Sequence, residues 1–260
     1  MASIAQEDST AREKVDTIKI GGMIIIKKSG KNKEDNEVVI SNNEPKKKSN
    51  LTTNWGIVDL GFANYHDETN YGSAEAQAFA PLGSKDKLEL RSGKSVNVNI
   101  WFFMQRLNLI QHAVNLKYGL GLELNNYRFD DETIRLTKNP TIISTDASLA
   151  GARKNKLAAD YVTIPMMLNF NLTPKKRKGG FGFSGGVSAG YLYSARQKIK
   201  MGDDKDKLHD NFDLRRWKIS YIGELNMGPV RLYGSYALKS MWEKGLQQRP
   251  YNVGVRFSNW

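Results

Sequence analysis

From residue 54 onward, apolar and polar residues alternate with a period of two, the pattern of strands whose two faces meet different environments. Eight segments carry it. Trp55 to Phe62 sets Val58, Leu60 and Phe62 against Ile57, Asp59 and Gly61. Ser95 to Gln105 sets Val96, Val98, Ile100, Phe102 and Met104 against Asn97, Asn99, Trp101, Phe103 and Gln105. In the third segment Val114, Leu116, Tyr118, Leu120, Leu122 and Leu124 face away from Asn115, Lys117, Gly119, Gly121, Glu123 and Asn125. Tyr161 to Leu172 follows, with Pro165 predicting a bulge or local break because proline donates nothing to a ladder. Phe181 to Ser194 has one face almost wholly Gly and Ser. Trp217 to Asn226, Val230 to Lys239 and Tyr251 to Ser258 complete the set.

The connections alternate in length. Residues 63 to 94, 130 to 157 and 195 to 215 are long, while 106 to 113, 173 to 180 and 227 to 229 are short, with 240 to 250 intermediate. Transmembrane barrels keep short periplasmic turns and long external loops, a rule a soluble barrel has no reason to follow. The expectation is an all-β chain, an eight-stranded antiparallel transmembrane up-and-down barrel with both ends on the short-turn side.

In a bilayer the apolar face of such a barrel meets lipid and the polar face fills the interior, whereas a soluble ligand-binding barrel reverses the two. The polar face carries Asp59, Lys117, Glu123, Lys218, Glu224, Arg231, Lys239 and Arg256, acids and bases that can neutralise one another inside. Aromatic residues at segment ends, Phe62, Tyr193, Trp217, Tyr251 and Phe257, suit membrane-interface belts and favour the membrane reading. The soluble barrel stays as an alternative.

Composition refines this picture. The 260 residues include no cysteine, which excludes disulfides and thiolate chemistry, and no run approaches the ~20 apolar residues of a spanning helix. The net charge of +12 invites a nucleic-acid reading. Its basic runs are scattered, however, at Lys46 to Lys48, Arg153 to Lys156 and Lys175 to Lys178, so no nucleic-acid partner is expected. Residues 1 to 53 read as an exported extension, with β-like runs at Thr17 to Lys27 and Glu37 to Ile40 forming a hairpin and a linker after it; residues 54 to 260 are the barrel. Ser3-Ile4-Ala5 before Gln6 has the small-x-small form found beside a signal-peptidase site, and equally suits a chance triplet at a cytoplasmic start.

Several stretches resemble the Bacteroidetes outer-membrane β-barrel family often labelled porin-family or PorT-like. They are YGLGLELNNYRF (118 to 129), DYVTIPMMLNF (160 to 170), GFGFSGGVSAGYLYSARQK (180 to 198), YIGELNMGPVRLYGSYALKSMWEKGL (221 to 246) and PYNVGVRFSNW (250 to 260). The resemblance implies export through a cleaved signal peptide, residence in outer-membrane lipid, insertion by the outer-membrane assembly machinery and, for most members, no defined activity. Such barrels commonly end in an aromatic assembly signal. Here Phe257 lies on the lipid-facing parity and Trp260 on the other.

Candidate chemistry is sparse. His66-Asp67 and His209-Asp210 fall in expected external loops, where a surface hydrolase would hold its base, but no nucleophile or oxyanion donor accompanies them. His112 reads as a surface residue in a short turn. The glycine patterns lack a phosphate-loop lysine, and the acidic run from Asp203 to Asp206 lacks calcium-loop spacing. No catalytic residue, metal or cofactor is expected. An eight-stranded barrel is normally filled by its own side chains, so a plugged barrel is expected rather than a porin. The leading function is a structural or interaction role, as an accessory subunit of an envelope protein complex.

Overall fold

The computed structural model describes residues 14–20, 23–29, 37–42, 49–174 and 180–258. The chain divides into two compact units, Met1–Ser49 and Asn50–Trp260. In the first, β1 (Lys14–Ile20), β2 (Met23–Ser29) and β3 (Glu37–Asn42) form an antiparallel sheet in the order β1-β2-β3. The run read as one strand from Thr17 to Lys27 is therefore divided between two strands, β1 ending at Ile20 and β2 beginning at Met23.

The second unit is a closed antiparallel barrel of eight strands: β4 (Leu51–Asp67), β5 (Val96–Ile110), β6 (Val114–Arg128), β9 (Lys154–Asn171), β10 (Phe181–Met201), β12 (Trp217–Met227), β13 (Val230–Ala237) and β14 (Gln248–Phe257). Each pairs with the next, and β14 pairs with β4 to close the wall. β4 begins at Leu51, so residues 51 to 53, assigned from sequence to the extension, are barrel wall. The long connections hold helix α1 (Ala74–Phe79), the short hairpin β7 (Ile134–Leu136) and β8 (Ile143–Thr145), two single 3-10 turns, and β11 (Asp204–His209), which pairs antiparallel with the last residues of β10.

Register gives the strand tilt. Hydrogen-bonded partners lead from Trp217 through Tyr191, Val162, Leu122, Ile100 and Val58 to Phe257. Carrying the Leu232↔Val255 register two residues further reaches Val230, whose partner is Met227. One circuit, from Trp217 to Met227, thus ends ten residues lower on the same strand. That stagger over eight strands corresponds to a tilt of ~40°, which leaves an interior that side chains fill.

The apolar face points outward. Leu60, Phe62, Ile164, Met166, Phe181, Tyr221 and Val253 are exposed, while Asp59, Asn97, Asn99, Lys117, Glu123 and Asn125 are buried. This overturns the soluble ligand-binding barrel, which requires the reverse. Pairing of β9 with β6 is interrupted between Tyr118↔Met166 and Gly121↔Thr163 without a change of register, the local break expected at Pro165.

Shifts of register occur elsewhere. Between Trp101 and Phe103 a bulge reverses the parity of β5, and Met104, assigned from sequence to the outward face, lies buried in the interior. Across from it Gly56 has φ +66°, and Trp55 turns outward to 70% exposure.

Candidate functional site

Inside the wall, acids and bases on the polar faces of β4, β6, β12 and β14 are arranged in one network. Asp59 accepts both ends of the Arg256 guanidinium, Nε to Oδ1 and Nη2 to Oδ2, each at 2.7 Å. The Trp101 indole N–H at 2.7 Å and the Asn99 amide at 3.1 Å donate to the same carboxylate. Arg256 reaches on to Glu224, which also pairs with Lys117, and Lys218 pairs with Glu123. Asn125 and Asn252 each donate to Glu123 at 3.1 Å. The charges balance: Asp59, Glu123 and Glu224 against Lys117, Lys218 and Arg256, all buried.

Local sequence makes room for this network. A Cβ at Gly61 or Gly254 would lie under 3 Å from the Tyr233 side chain, whose hydroxyl donates to Asn97 at 2.5 Å. Gly121 does the same for the Trp101 ring. Small residues on neighbouring strands are thus the sites into which the large polar side chains project. Low in the wall little space is left: cavities beside Glu224 and Arg256 measure about 30 Å³ each, room for roughly one water. Higher up, a cavity of about 1150 Å³ is lined by Glu224, Tyr233 and Asn252 and by Tyr65, Asp67 and Leu90 at the rim.

Two residues of the expected interior set stand apart. Arg231 is half-buried at the short-turn end, donating to the Ser258 carbonyl at 3.1 Å. Lys239 is a correction. β13 ends at Ala237, and the alternation that placed Lys239 inside stops with it, leaving the side chain exposed in the following bend. Sequence reading omitted Trp101, Tyr233 and the asparagines as members. Their shared parity with Asp59 and Glu123 was the available signal.

Of the aromatic set, Phe62, Tyr193 and Trp217 are exposed near the long-loop end, with Tyr251 half-exposed beside them and Phe257 exposed at the short-turn end. Trp217 packs edge-on against Tyr191 at 5.1 Å. At the short-turn end Trp55 lies 5.9 Å from Phe103, and Phe170 stacks on Phe183 at 5.0 Å. Trp260, the other half of the expected assembly signal, and Lys175 to Lys178 lie outside the described residues.

Above the polar network the long loops fold over the barrel. Leu88, Leu90, Phe129, Ile134, Phe212, Leu214, Trp242 and Leu246 are buried in one apolar cluster with Tyr127, Leu157 and Tyr161 from the wall. Ser73 caps α1 by accepting from Ala76 N–H at 3.2 Å, and Phe79 of that helix meets Trp242 at 5.4 Å. Gln197 joins β7 to the wall through the Leu136 N–H at 3.0 Å and the Ile134 carbonyl at 2.9 Å.

Asp67, at the end of β4, ties the loop that follows it to the start of β14, accepting from Thr69, Tyr71 and Gln248 at 2.6 to 2.9 Å. Half-burial pushes its carboxyl up, but those hydrogen bonds outweigh burial and hold it below 3.8.

The histidines occupy separate neighbourhoods. His66, exposed at the end of β4, stands 3.7 Å from Glu68; His209 lies opposite Arg196 on β11; and His112 sits in the 110–113 turn with φ +57°. Among the described residues no group of three His, Asp or Glu could hold a metal ion.

Comparisons with known proteins bear on this architecture. The solved structure of Neisserial surface protein A (NspA) matches over 81% of this chain and 98% of its own, at 10% identity and a TM-score of 0.35. No curated protein sequence matches significantly. The profile of the outer membrane protein beta-barrel domain matches residues 42–239, from the end of β3 to just past β13. A match over that much of the barrel, on a wall with lipid-suited residues outside and charges within, makes the chain a member of the outer membrane protein beta-barrel domain family.

Proposed function

We propose that the chain is a non-conducting, non-catalytic barrel that anchors an organised loop surface in the bacterial outer membrane, as an accessory subunit of an envelope complex. The observation that carries this reading is the filling of the barrel: a neutralised ion network occupies its lower interior, and loops packed on their own apolar cluster fold over the mouth beside the rim cavity. A charge-compensated interior does not suit a continuous water path, whereas loops held in one conformation suit a partner. Within the family we place the chain with the Bacteroidetes porin-family, PorT-like barrels, on the stretches at 118 to 129 and 160 to 170, with export by a cleaved signal peptide. Leu51 enters the wall at its short-turn end, so in this reading residues 1 to 49 are periplasmic.

Two measurements test it. Planar-bilayer recording of the refolded chain is expected to show no unitary conductance steps; steady porin-like steps would overturn the plugged reading. Isolation at native expression in mild detergent, followed by mass spectrometry, is expected to recover a stoichiometric envelope partner. Recovery of the barrel alone would remove the accessory-subunit reading and leave the anchoring role.

A further inference from the structure

Beyond the outer aromatic belt, the outward face of β6, β9, β10 and β11 changes from apolar to basic. On β10 the series Phe181, Phe183, Val187, Tyr191 and Tyr193 gives way, across a bulge between Leu192 and Ser194, to Arg196, Lys198 and Lys200. Pairing sets cations in rows. Arg128, Lys156, Lys198 and Lys207 stand opposite one another on four adjacent strands, and Lys154, Lys200 and Lys205 form a second row two residues farther from the membrane.

The acids of the same segment are sorted away. In Asp204-Lys205-Asp206-Lys207 the period of two turns both lysines outward and both acids toward the loops, where Asp206 stands 3.7 Å from Arg135. On the outward face Asp160 is engaged by Arg196, and His209 stands across from Arg196.

Like charges directly opposite on neighbouring strands destabilise a sheet. A surface serving solubility alone intersperses the two signs. Here an acid-containing segment is ordered so that its bases gather instead. Lys156 registers the crowding: burial, then Lys154, Lys198 and Arg196, push its ammonium down to about 8. An anion lying over the rows relieves that repulsion.

Height selects the anion. At ~3.3 Å per residue on strands tilted ~40°, Arg196 stands roughly 5–8 Å beyond Tyr193. The headgroup layer of a bilayer is about 5–8 Å deep on each side. We propose that this basic sheet face is a docking surface for the phosphorylated headgroups of outer-leaflet lipids, each phosphate bridging lysines of adjacent strands.

The test titrates the full detergent-solubilised chain with diphosphorylated lipid A, dephosphorylated lipid A, inorganic phosphate and a short DNA duplex. Retained ligand is read by native mass spectrometry, and folding by heat-modifiable gel migration. The diphosphorylated lipid is expected to bind at least tenfold more tightly than its dephosphorylated form, with affinity falling as salt rises. The variant Lys156→Gln/Lys198→Gln/Lys200→Gln/Lys207→Gln is expected to lose at least tenfold in affinity while still migrating as a folded barrel. Equal binding of the two lipids, an unchanged affinity in the folded variant, displacement of the lipid by equimolar inorganic phosphate, or tighter binding of the duplex would each overturn the proposal. Should the variant not refold, the comparison of the two lipids on the unmodified chain decides the question.

Discussion

The lower and upper parts of the barrel interior have opposite chemistry on the same strands. Along β6 the inward residues are Asn115, Lys117, Gly119, Gly121, Glu123 and Asn125, and then Tyr127, with Phe129 just beyond the strand; the outward ones run from Val114 to Leu124 and then turn to Asn126 and Arg128. Both faces exchange polarity at the same height. β10 does likewise, its inward Gly and Ser giving way to Leu192, Ala195 and Ile199 as its outward face turns basic.

The difference teaches where the lipid ends. Beside hydrocarbon, outward residues must be apolar and the interior can hold polar groups, provided they satisfy one another. Above it, water meets the outside, and the hydrophobic effect again drives apolar groups inward. The lower part is held by directed ion pairs and hydrogen bonds, the upper by contact area.

The largest expected break is in the lower part. Arg256→Ala leaves Asp59 and shares of Glu224 uncompensated in the interior and is expected to cost ~3–5 kcal/mol, read from urea unfolding of the barrel in vesicles. An unchanged unfolding midpoint would mean that water compensates the interior freely. In the upper part Phe212→Ala removes a fully buried ring, at a cost of about 3–5 kcal/mol. That loss is expected to open the loops to protease while heat-modifiable migration of the barrel persists. Concerted loss of both would show that the two regions are one cooperative unit.

A gradient on β6 sharpens the boundary itself. Leu120→Arg is expected to cost ~2–4 kcal/mol in vesicle refolding, and Asn126→Arg, on the same face six residues along, only ~0–1 kcal/mol. Equal costs would move the membrane edge. Smaller again is the effect of pH at the rim. Because the folded-state pKa of Asp67 is depressed, its contribution is complete above 3.8 and is lost as pH falls through the depressed value, so protease protection of the loops is expected to weaken there. Asp67→Asn should remove that dependence. Least of all, Lys239→Gln lies outside the network and should shift barrel stability by no more than about 0.5 kcal/mol.

The alternation from Val114 to Asn125 fixed the third strand, its two faces and the inward placement of Lys117 and Glu123, because a period of two leaves each residue only two sides to choose between. Met104 and Lys239 escaped the same reasoning. A bulge in β5, opposite Gly56, reversed parity for the first, and the end of β13 removed the alternation altogether for the second. Nor does spacing reveal that Asp59 meets Arg256, since 197 residues separate them and only closure of β14 on β4 brings them together.

By itself, then, the sequence determined a barrel of eight strands, the inward placement of most of its charges and the order of long and short connections, since these depend on local period and chain length. Tertiary structure decided which acid meets which base, how the loops close over the mouth and which lysines align in rows. Those depend on register and stagger around a closed wall, where a shift of one residue on one strand re-aims every side chain beyond it.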